Sequence, residues 1–214
     1  MHEILANLPA HALVLDLGSA KGSFTPTTTQ ASVIRLDRDF PAAVHGGNLV
    51  QADAARLPFP DASIHAIIAN HSLEHFEDLN ACLHEIRRVI HPDGALYIAV
   101  PDASTVTDRL YRWLAGGGGH VNPFTDPEQV AALIEQATGL KHAATTTLCS
   151  SLSFLHHRNS PRPRPRRLHL LGNGSTASLL LYTWLSRRID PILRRPRPKR
   201  LYDCDLQPPD DRGE

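Results

Sequence analysis

The chain has 214 residues, of which 42% are hydrophobic, so it is long enough for one domain with a full core. Three widely spaced cysteines argue against a disulfide framework and favour a reducing compartment. The N-terminal residues lack the basic and apolar regions of a signal peptide, and no apolar run approaches the roughly 20 residues that span a bilayer. We therefore expect a cytoplasmic protein.

The net charge of zero conceals three segments of different charge. Residues 1–155 carry nine Lys or Arg against 16 Asp or Glu, residues 156–200 carry 12 against one, and residues 201–214 carry one against five. Such asymmetry indicates segments with separate roles. We predict a core over 1–155, a basic Pro/Arg-rich insertion with an amphipathic helix over 156–200, and a final strand with an acidic tail over 201–214.

Five short segments rich in Val, Ile and Leu follow one another in the first half of the chain, and they are typical of strands in a covered parallel sheet. They are 13–18, 32–37, 48–53, 64–70 and 95–101. Turn signals, "FPDAS" and "HPDG", precede the last two. Between these two strands, residues 77–90 have apolar residues at helical spacing, with Arg87 and Arg88 expected to face outward.

The second half of the chain has weaker patterns. Residues 126–140 predict a helix that ends near Gly139, and 143–151 a strand. A Pro/Arg run, "RNSPRPRPRR", predicts an exposed loop, since its prolines cannot continue a helix. Residues 175–193 predict a helix with an apolar stripe, and 200–206 a final strand. The alternation of strands and helices predicts a doubly wound α/β fold with a mostly parallel, seven-stranded, Rossmann-like sheet in a single domain.

Polar residues stand at the ends of the first four predicted strands. In such a sheet, ligands bind at the carboxyl ends of the strands. Asp37 lies 19 residues after Gly18, the usual distance for a carboxylate that accepts hydrogen bonds from a ribose diol. The residues in question are Asp16, Gly18 and Gly22 at the first strand, Asp37 at the second, Asp53 at the third and Asn70 at the fourth.

Three motifs, "DLGSAKGSF", "DAARLPFPDASIHAIIANHSLEHFED" and "LHEIRRVIHPDGALYIAVPD", resemble those of the class I S-adenosylmethionine-dependent methyltransferases of the type 11 group. The resemblance covers about residues 10–150. It implies that the glycine loop contacts the methionine part of the cofactor, that Asp37 binds the ribose and that Asp53 with the Ala54 backbone binds adenine. The cofactor residues it implies are Asp16, Gly18, Ser19, Gly22, Asp37, Arg38, Asp53, Ala54 and Asn70.

The sequence departs from the family pattern at three points. Ala20 stands where the family more often has glycine, and S-adenosylmethionine, which has no phosphate, tolerates that change better than a dinucleotide would. "SFTPTTTQA" leaves room only for a short or broken first helix. The N-terminal helices that often cover the substrate site of this family are not expected.

Two histidines are candidates for a catalytic base. Methyl transfer is an in-line displacement that needs a base only where the acceptor must lose a proton. His71 directly follows the fourth strand, and His120 lies in "GGGGHVNPF". Each is equally typical of a residue that lines a pocket or caps a helix, so the catalytic residues stay open.

"HSLEH" suggests a competing chemistry, because H-x-x-E-H is a zinc protease pattern. That reading needs His71 and His75 on one helix face, Glu74 as base and a third ligand such as Glu135. We retain the zinc hydrolase as a remote alternative and expect no metal.

We predict an S-adenosylmethionine-dependent transferase that acts on a small-molecule or lipid- or glycan-linked acceptor. The alternative from another class is a non-catalytic relative that binds the cofactor or a partner. Nucleic acid is disfavoured as a partner, since "NHSL" lacks the proline pair of amino-methylating nucleic-acid enzymes and few aromatics accompany the arginines. The basic segment 156–200 can serve as solvated surface or as a peripheral membrane contact.

Overall fold

The computed structural model describes residues 1–40, 47–114, 116–117, 119–146, 180–185, 188–189 and 202–207. The helices in this part of the chain are α1 (His2–Ala6), α2 (Leu79–Val89), α3 (Val106–Leu114) and α4 (Pro127–Thr138). The strands are β1 (Leu13–Leu17), β2 (Ser32–Asp37), β3 (Asn48–Gln51), β4 (Ile64–Asn70), β5 (Ile90–Val100), β6 (Lys141–Thr146) and β7 (Tyr202–Gln207). Two 3-10 turns cover Pro26–Thr28 and Leu73–His75. The predicted Pro/Arg loop and the acidic tail lie outside the described residues.

The seven strands form one sheet in the order β3-β2-β1-β4-β5-β7-β6. Strands β1 to β5 pair in parallel, and β7 lies antiparallel to both of its neighbours. The prediction of a doubly wound, mostly parallel, seven-stranded sheet is confirmed. The order reverses beside β1, so the carboxyl ends of β1 and β4 flank a topological switch point, where ligands bind in sheets of this kind.

Apolar side chains cover both faces of this sheet. On one face, Leu15 and Leu17 of β1 pack with Leu83 and Ile86 of α2 and with Ile134 of α4. The buried residues of α2, Cys82, Leu83, Ile86 and Val89, recur at intervals of three and four, which places them on one stripe. On the other face, a smaller cluster contains Val14, Ile68 and residues of α1. Burial on both faces explains why the strands are apolar throughout.

The helix ends follow their sequence signals. Asp126 accepts hydrogen bonds from the backbone nitrogens of Glu128 and Gln129 at the start of α4, and Gly139 ends this helix with a left-handed φ of 78°. Asp78 caps α2 in the same way through the Ala81 nitrogen. The helices predicted over 77–90 and 126–140 are therefore confirmed, as is the final strand.

The structure differs from the predicted local structure in the following places. The "HPDG" turn is part of β5, where three extra residues bulge between the pairs Ile64–Ile90 and Ala66–Ala95. Helix α3 was not predicted. A short N-terminal helix, α1, is present and buries Ile4 and Leu5 against the sheet. The connection from β1 to β2, in contrast, contains only the turn Pro26–Thr28, as its proline and threonines predict.

Arg88 does not face outward as predicted. Its guanidinium donates hydrogen bonds to the carbonyl oxygens of Leu57 and Phe59 at 2.9 and 2.8 Å and to the carboxylates of Glu85 and Asp61. Arg88 therefore ties α2 to the segment that leads into β4, while Arg87 is exposed as expected.

Residues 180–185 and 188–189 are helical, in agreement with the predicted helix over 175–193. Among the described residues, none of the helices has the length and apolar character needed to cross a membrane. The predicted division of the chain at residues 155 and 200 remains a prediction.

Candidate functional site

A cavity of about 510 Å³ opens at the carboxyl ends of β1 to β4, within the size range of small-molecule sites. Its wall includes five of the nine residues that the family resemblance implies for the cofactor: Gly18, Asp37, Arg38, Asp53 and Ala54. The remaining four, Asp16, Ser19, Gly22 and Asn70, do not belong to that wall. Lining a cavity does not show what a residue binds, so all nine cofactor assignments remain predictions.

The loop after β1 requires glycine at its first turn. Gly18 has φ +67°, and a Cβ at this position would lie 2.5 Å from the Cβ of Ser72. The loop is held to β2 because the nitrogens of Gly18 and Ser19 both donate to the Leu36 carbonyl oxygen. Ala20 also has a positive φ, 43°, which is strained for a residue with a side chain. This strain is the structural consequence of the missing middle glycine.

Asp16 lies beneath this loop and fixes its shape. Its Oδ2 atom accepts a hydrogen bond from the Ser23 nitrogen at 2.9 Å. Burial raises the pKa of Asp16, an effect opposed by the Ser23 hydrogen bonds and the nearby Arg35. Three polar atoms beside the loop have no hydrogen-bond partner, namely Asp16 Oδ1, Ser19 Oγ and Ser72 Oγ. Orphan atoms of this kind suit a ligand with charged polar groups, and rotation of the two serine hydroxyls would bring them to it.

Asp37 stands at the end of β2 with a fixed carboxylate. Its Oδ2 atom accepts from the Ala20 nitrogen at 2.7 Å, and its Oδ1 atom accepts from the Asp39 nitrogen at 3.0 Å. Each oxygen retains a lone pair, because a carboxylate has about four acceptor positions. The carboxylate can therefore accept two further hydrogen bonds, as a ribose diol would require.

The far end of the cavity is partly apolar. Asp53 and Ala54 follow β3, and Asp53 Oδ1 accepts from the Ala55 nitrogen at 2.9 Å. Phe76 and Cys82 line the same cavity, although sequence reasoning did not select them. Burial, followed by the nearby Asp53 and Asp78, raises the pKa of Cys82 to about 12. The thiol is therefore protonated at neutral pH and serves as an apolar surface, not as a nucleophile.

Acidic groups dominate the remaining wall. Arg38 is exposed at the rim and forms ion pairs with Asp39 and Glu77, each at 3.4 Å. Five carboxylates line the cavity, those of Asp37, Asp39, Asp53, Glu77 and Asp78, against the one guanidinium of Arg38 among the described residues. The negative potential favours a cationic ligand and disfavours a pyrophosphate.

The two histidines proposed as bases converge on one carboxylate. His71 lines the cavity with φ +54°, and its Nδ1 atom lies 3.5 Å from Glu74 Oε1. His120 lies close to the same glutamate, since one side-chain ligand atom of each lies within 4.8 Å of the other. Asn70 precedes this group at the end of β4, where the His71 nitrogen donates to the Ala99 carbonyl oxygen at 2.8 Å.

The zinc hydrolase reading lacks the helix that it requires. Leu73–His75 form a 3-10 turn, so His71 and His75 do not project from one α-helical face. Glu135, the possible third ligand, accepts a hydrogen bond from the His142 nitrogen at the amino end of β6. This position is at the opposite end of the strands from the cavity. The HSLEH segment is therefore not the active site of a helical zinc protease.

Residues 15–98 match the family model described as a methyltransferase domain. This match spans β1 to β5 and the cavity wall. This similarity supports the resemblance of the chain to the class I S-adenosylmethionine-dependent methyltransferases. The methyltransferase fold also agrees with a solved S-adenosylmethionine-dependent methyltransferase from Archaeoglobus fulgidus, with a TM-score of 0.62 and 16% identity over 96% of this chain and 88% of the other.

Two relatives are similar to this chain over two thirds or more of their own length. A malonyl-[acyl-carrier protein] O-methyltransferase of Methylococcus capsulatus is 27% identical over 75% of this chain and 67% of its own length. A demethylmenaquinone methyltransferase of Corynebacterium kroppenstedtii is 27% identical over 70% of this chain and 76% of its own length. Three further relatives are matched over only 30% to 45% of their own length.

Proposed function

We propose that this protein transfers the methyl group of S-adenosylmethionine to a small-molecule or lipid- or glycan-linked acceptor. The observation that carries the proposal is the Asp37 carboxylate, which two backbone nitrogens hold on the wall of the cavity with acceptor capacity to spare. A ribose diol is a ligand that fills this capacity.

The rest of the cavity fits the other parts of S-adenosylmethionine. The methionine end would lie at Gly18 and Ser72, beside the unpartnered serine hydroxyls. Adenine would lie between Asp53 with Ala54 on one side and Phe76 on the other. The acidic wall attracts the sulfonium and ammonium cations of S-adenosylmethionine. The same wall repels the negatively charged pyrophosphate of NAD.

The cofactor supplies an activated methyl group, and this chain supplies alignment and a shielded site. In an in-line displacement, the positive charge disperses as the methyl group leaves sulfur, so positioning and exclusion of water provide most of the rate. Where the acceptor is a hydroxyl, His71 is placed on the cavity wall to take its proton. The role of this histidine is part of the proposal.

The relatives support an acceptor carried on a larger group. One is named for malonyl-[acyl-carrier protein] and another for demethylmenaquinone. The first name specifies an oxygen acceptor on an acyl-carrier protein, and the second specifies demethylmenaquinone as the acceptor. We therefore place carrier-linked acyl groups and quinols first among the acceptors to be assayed.

The cofactor assignment is tested by titration calorimetry with S-adenosylmethionine and its demethylated product. We expect Asp37→Ala to weaken the binding of both by 30- to 150-fold, the equivalent of about 2–3 kcal/mol for two hydrogen bonds to a charged acceptor. Asp93→Ala is the matched control, since Asp93 is an exposed aspartate in the β5 bulge. NAD should give no heat with any of the three proteins.

Wild-type affinity in Asp37→Ala would remove the ribose assignment, and binding of NAD alone would overturn the proposed function. A non-catalytic relative would bind S-adenosylmethionine without releasing its demethylated product in the presence of any acceptor. Product release with an acyl-carrier or quinol acceptor would exclude that alternative.

A further inference from the structure

Glu74 is a buried carboxylate with an unused oxygen. Its side chain is 2% exposed, and its Oε2 atom has no hydrogen-bond partner. Its Oε1 atom lies 3.5 Å from His71 Nδ1 and 4.0 Å from His75 Nε2. A buried carboxylate oxygen without a hydrogen-bond partner is costly, so the retention of Glu74 points to a ligand that supplies positive charge.

His75 presents one ring nitrogen to this carboxylate. Its Nδ1 atom lies 3.0 Å from the Gly119 carbonyl oxygen, which can only accept, so Nδ1 carries the proton. The Nε2 atom then has a free lone pair. Gly119 permits this approach, since its φ is +75° and a Cβ there would lie 3.3 Å from His75 Nδ1.

His120 reaches the same point from a separate loop. The nitrogens of Val121 and Asn122 both donate to the Glu74 carbonyl oxygen, at 2.8 and 3.1 Å. The Asn122 side chain also donates to the carbonyl oxygens of Leu73 and Phe76. These four hydrogen bonds fasten the loop to the 3-10 turn. His120 Nδ1 lies 3.5 Å from the buried carboxylate of Asp108, which leaves Nε2 directed elsewhere.

We propose that Glu74, His75 and His120 bind a divalent first-row transition metal, with Zn²⁺ as the ion to test. One ligand atom from each residue lies within 4.8 Å of the others. Tetrahedral ligands of Zn²⁺ are about 3.4 Å apart at usual bond lengths, so small side-chain rotations complete the site. Imidazoles whose second nitrogen meets a carbonyl or a carboxylate are typical of metal ligands. The proposal departs from the sequence-based expectation of no metal.

Three protein ligands leave one coordination position open, and His75 lines the cavity at its β4 end. The metal would there hold an anionic oxygen of the acceptor and favour its deprotonated form. This role rests on the proposed methyl transfer, whereas metal binding itself does not.

The test measures metal binding apart from cofactor binding. Purified full-length protein is titrated with Zn²⁺ against a competing chelator, and Co²⁺ is added separately to record its visible absorption. We expect one Zn²⁺ per chain and a tetrahedral Co²⁺ spectrum. Glu74→Gln, His75→Asn and His120→Asn should each weaken Zn²⁺ binding at least 100-fold, and Asp108→Asn, which acts through His120, 10- to 100-fold.

His84→Asn is the matched control, because His84 also places its Nδ1 atom on a backbone carbonyl oxygen, that of Asn80, but on the surface of α2. Thermal unfolding of each variant identifies any that does not fold. His75→Asn should disturb folding least, because the His75 side chain is exposed. Wild-type Zn²⁺ affinity in a folded His75→Asn or Glu74→Gln protein would overturn the proposal. S-adenosylmethionine titrations run on the same samples show whether the cofactor assignment stands or fails independently.

Discussion

His65 in β4 lies between two other imidazoles at the amino-terminal side of the sheet. Its ring stacks on that of His91 with centroids 5.0 Å apart and meets the edge of His11 at 6.0 Å. Its Nδ1 atom accepts a hydrogen bond from the Leu13 nitrogen, which requires a neutral ring. Burial, followed by the two neighbouring histidines, lowers the pKa of His65.

This lowered pKa predicts a stability that falls with acid. Below the ordinary histidine pKa of about 6.5, the unfolded chain takes up a proton more readily than the folded one, so acidification favours unfolding. We expect the urea midpoint to fall between pH 7.5 and pH 5.5, and to fall less in His65→Gln, whose amide oxygen still accepts from Leu13. His84→Gln should keep the wild-type pH dependence. An unchanged dependence in His65→Gln would assign the effect to other groups.

The sequence predicts which strand-end residues reach the cavity, but it does not predict that His120 lies close to Glu74. Gly18, Asp37 and Asp53 reach the cavity because strand ends share one edge of a parallel sheet. The approach of His120 to Glu74 depends on hydrogen bonds from Val121 and Asn122, across more than 40 residues. Hydrophobic periodicity in a sequence does not reveal a loop whose position is set by backbone hydrogen bonds.

Helix α2 contributes to stability through a polar clamp as well as its apolar stripe. Glu85 accepts from the Leu57 nitrogen at 2.7 Å and pairs with Arg88, which lowers the pKa of Glu85. We expect Arg88→Met to lower the free energy of unfolding by about 2 kcal/mol, since it leaves carbonyl oxygens and a carboxylate without their donor. Arg87→Met, one residue earlier and exposed, should change it by less than about 0.5 kcal/mol. Equal urea midpoints for the two variants would contradict the clamp.

The strands with a strong apolar pattern were predicted well, whereas helices α1 and α3 were missed. The predicted second and fourth strands have the bounds of β2 and β4; β4 is buried along most of its length, whereas β2 is mostly half-buried. Helix α3 buries Thr107 and Asp108 together with Leu114, so its inner side is partly polar. A hydrophobic stripe is the main helical signal in a sequence, and in α3 Val106, Leu110 and Leu114 recur every four residues, so this helix could have been predicted from its pattern.

The whole molecule divides its charge between an acidic core and a basic segment. Within that segment, Leu181, Leu185 and Ile189 are exposed along one helical stripe, with Trp184 beside it. The Arg188 guanidinium lies 5.2 Å from the centre of the Trp184 ring. Exposed apolar residues flanked by arginines favour an anionic lipid surface, to which each basic residue adds about 1 kcal/mol.

We therefore expect the protein to float with vesicles that contain phosphatidylglycerol at low salt, and less so at high salt or with neutral lipid. Replacing Arg187, Arg188, Arg194 and Arg195 with glutamate should abolish flotation. Arg87→Glu, which reverses the charge of an exposed arginine on α2 outside the basic segment, should not. If the wild-type protein never floats, the segment is a solvated surface and the membrane proposal fails.

The antiparallel pair of β6 and β7 is a hairpin in space but not in the chain. Thr146 ends β6 and Tyr202 begins β7, so 55 residues, 147–201, separate the two strands. Neighbouring antiparallel strands are usually connected by only a few residues. Closing so long a loop costs about 2 kcal/mol more in chain entropy than closing one of five residues. Strands β1 to β5 pair with one another across shorter connections, whereas β5 and β7 are separated by 101 residues, 101–201. We therefore expect β7, and with it β6, to join the sheet last during folding, after the cofactor edge formed by β1 to β4 is already assembled.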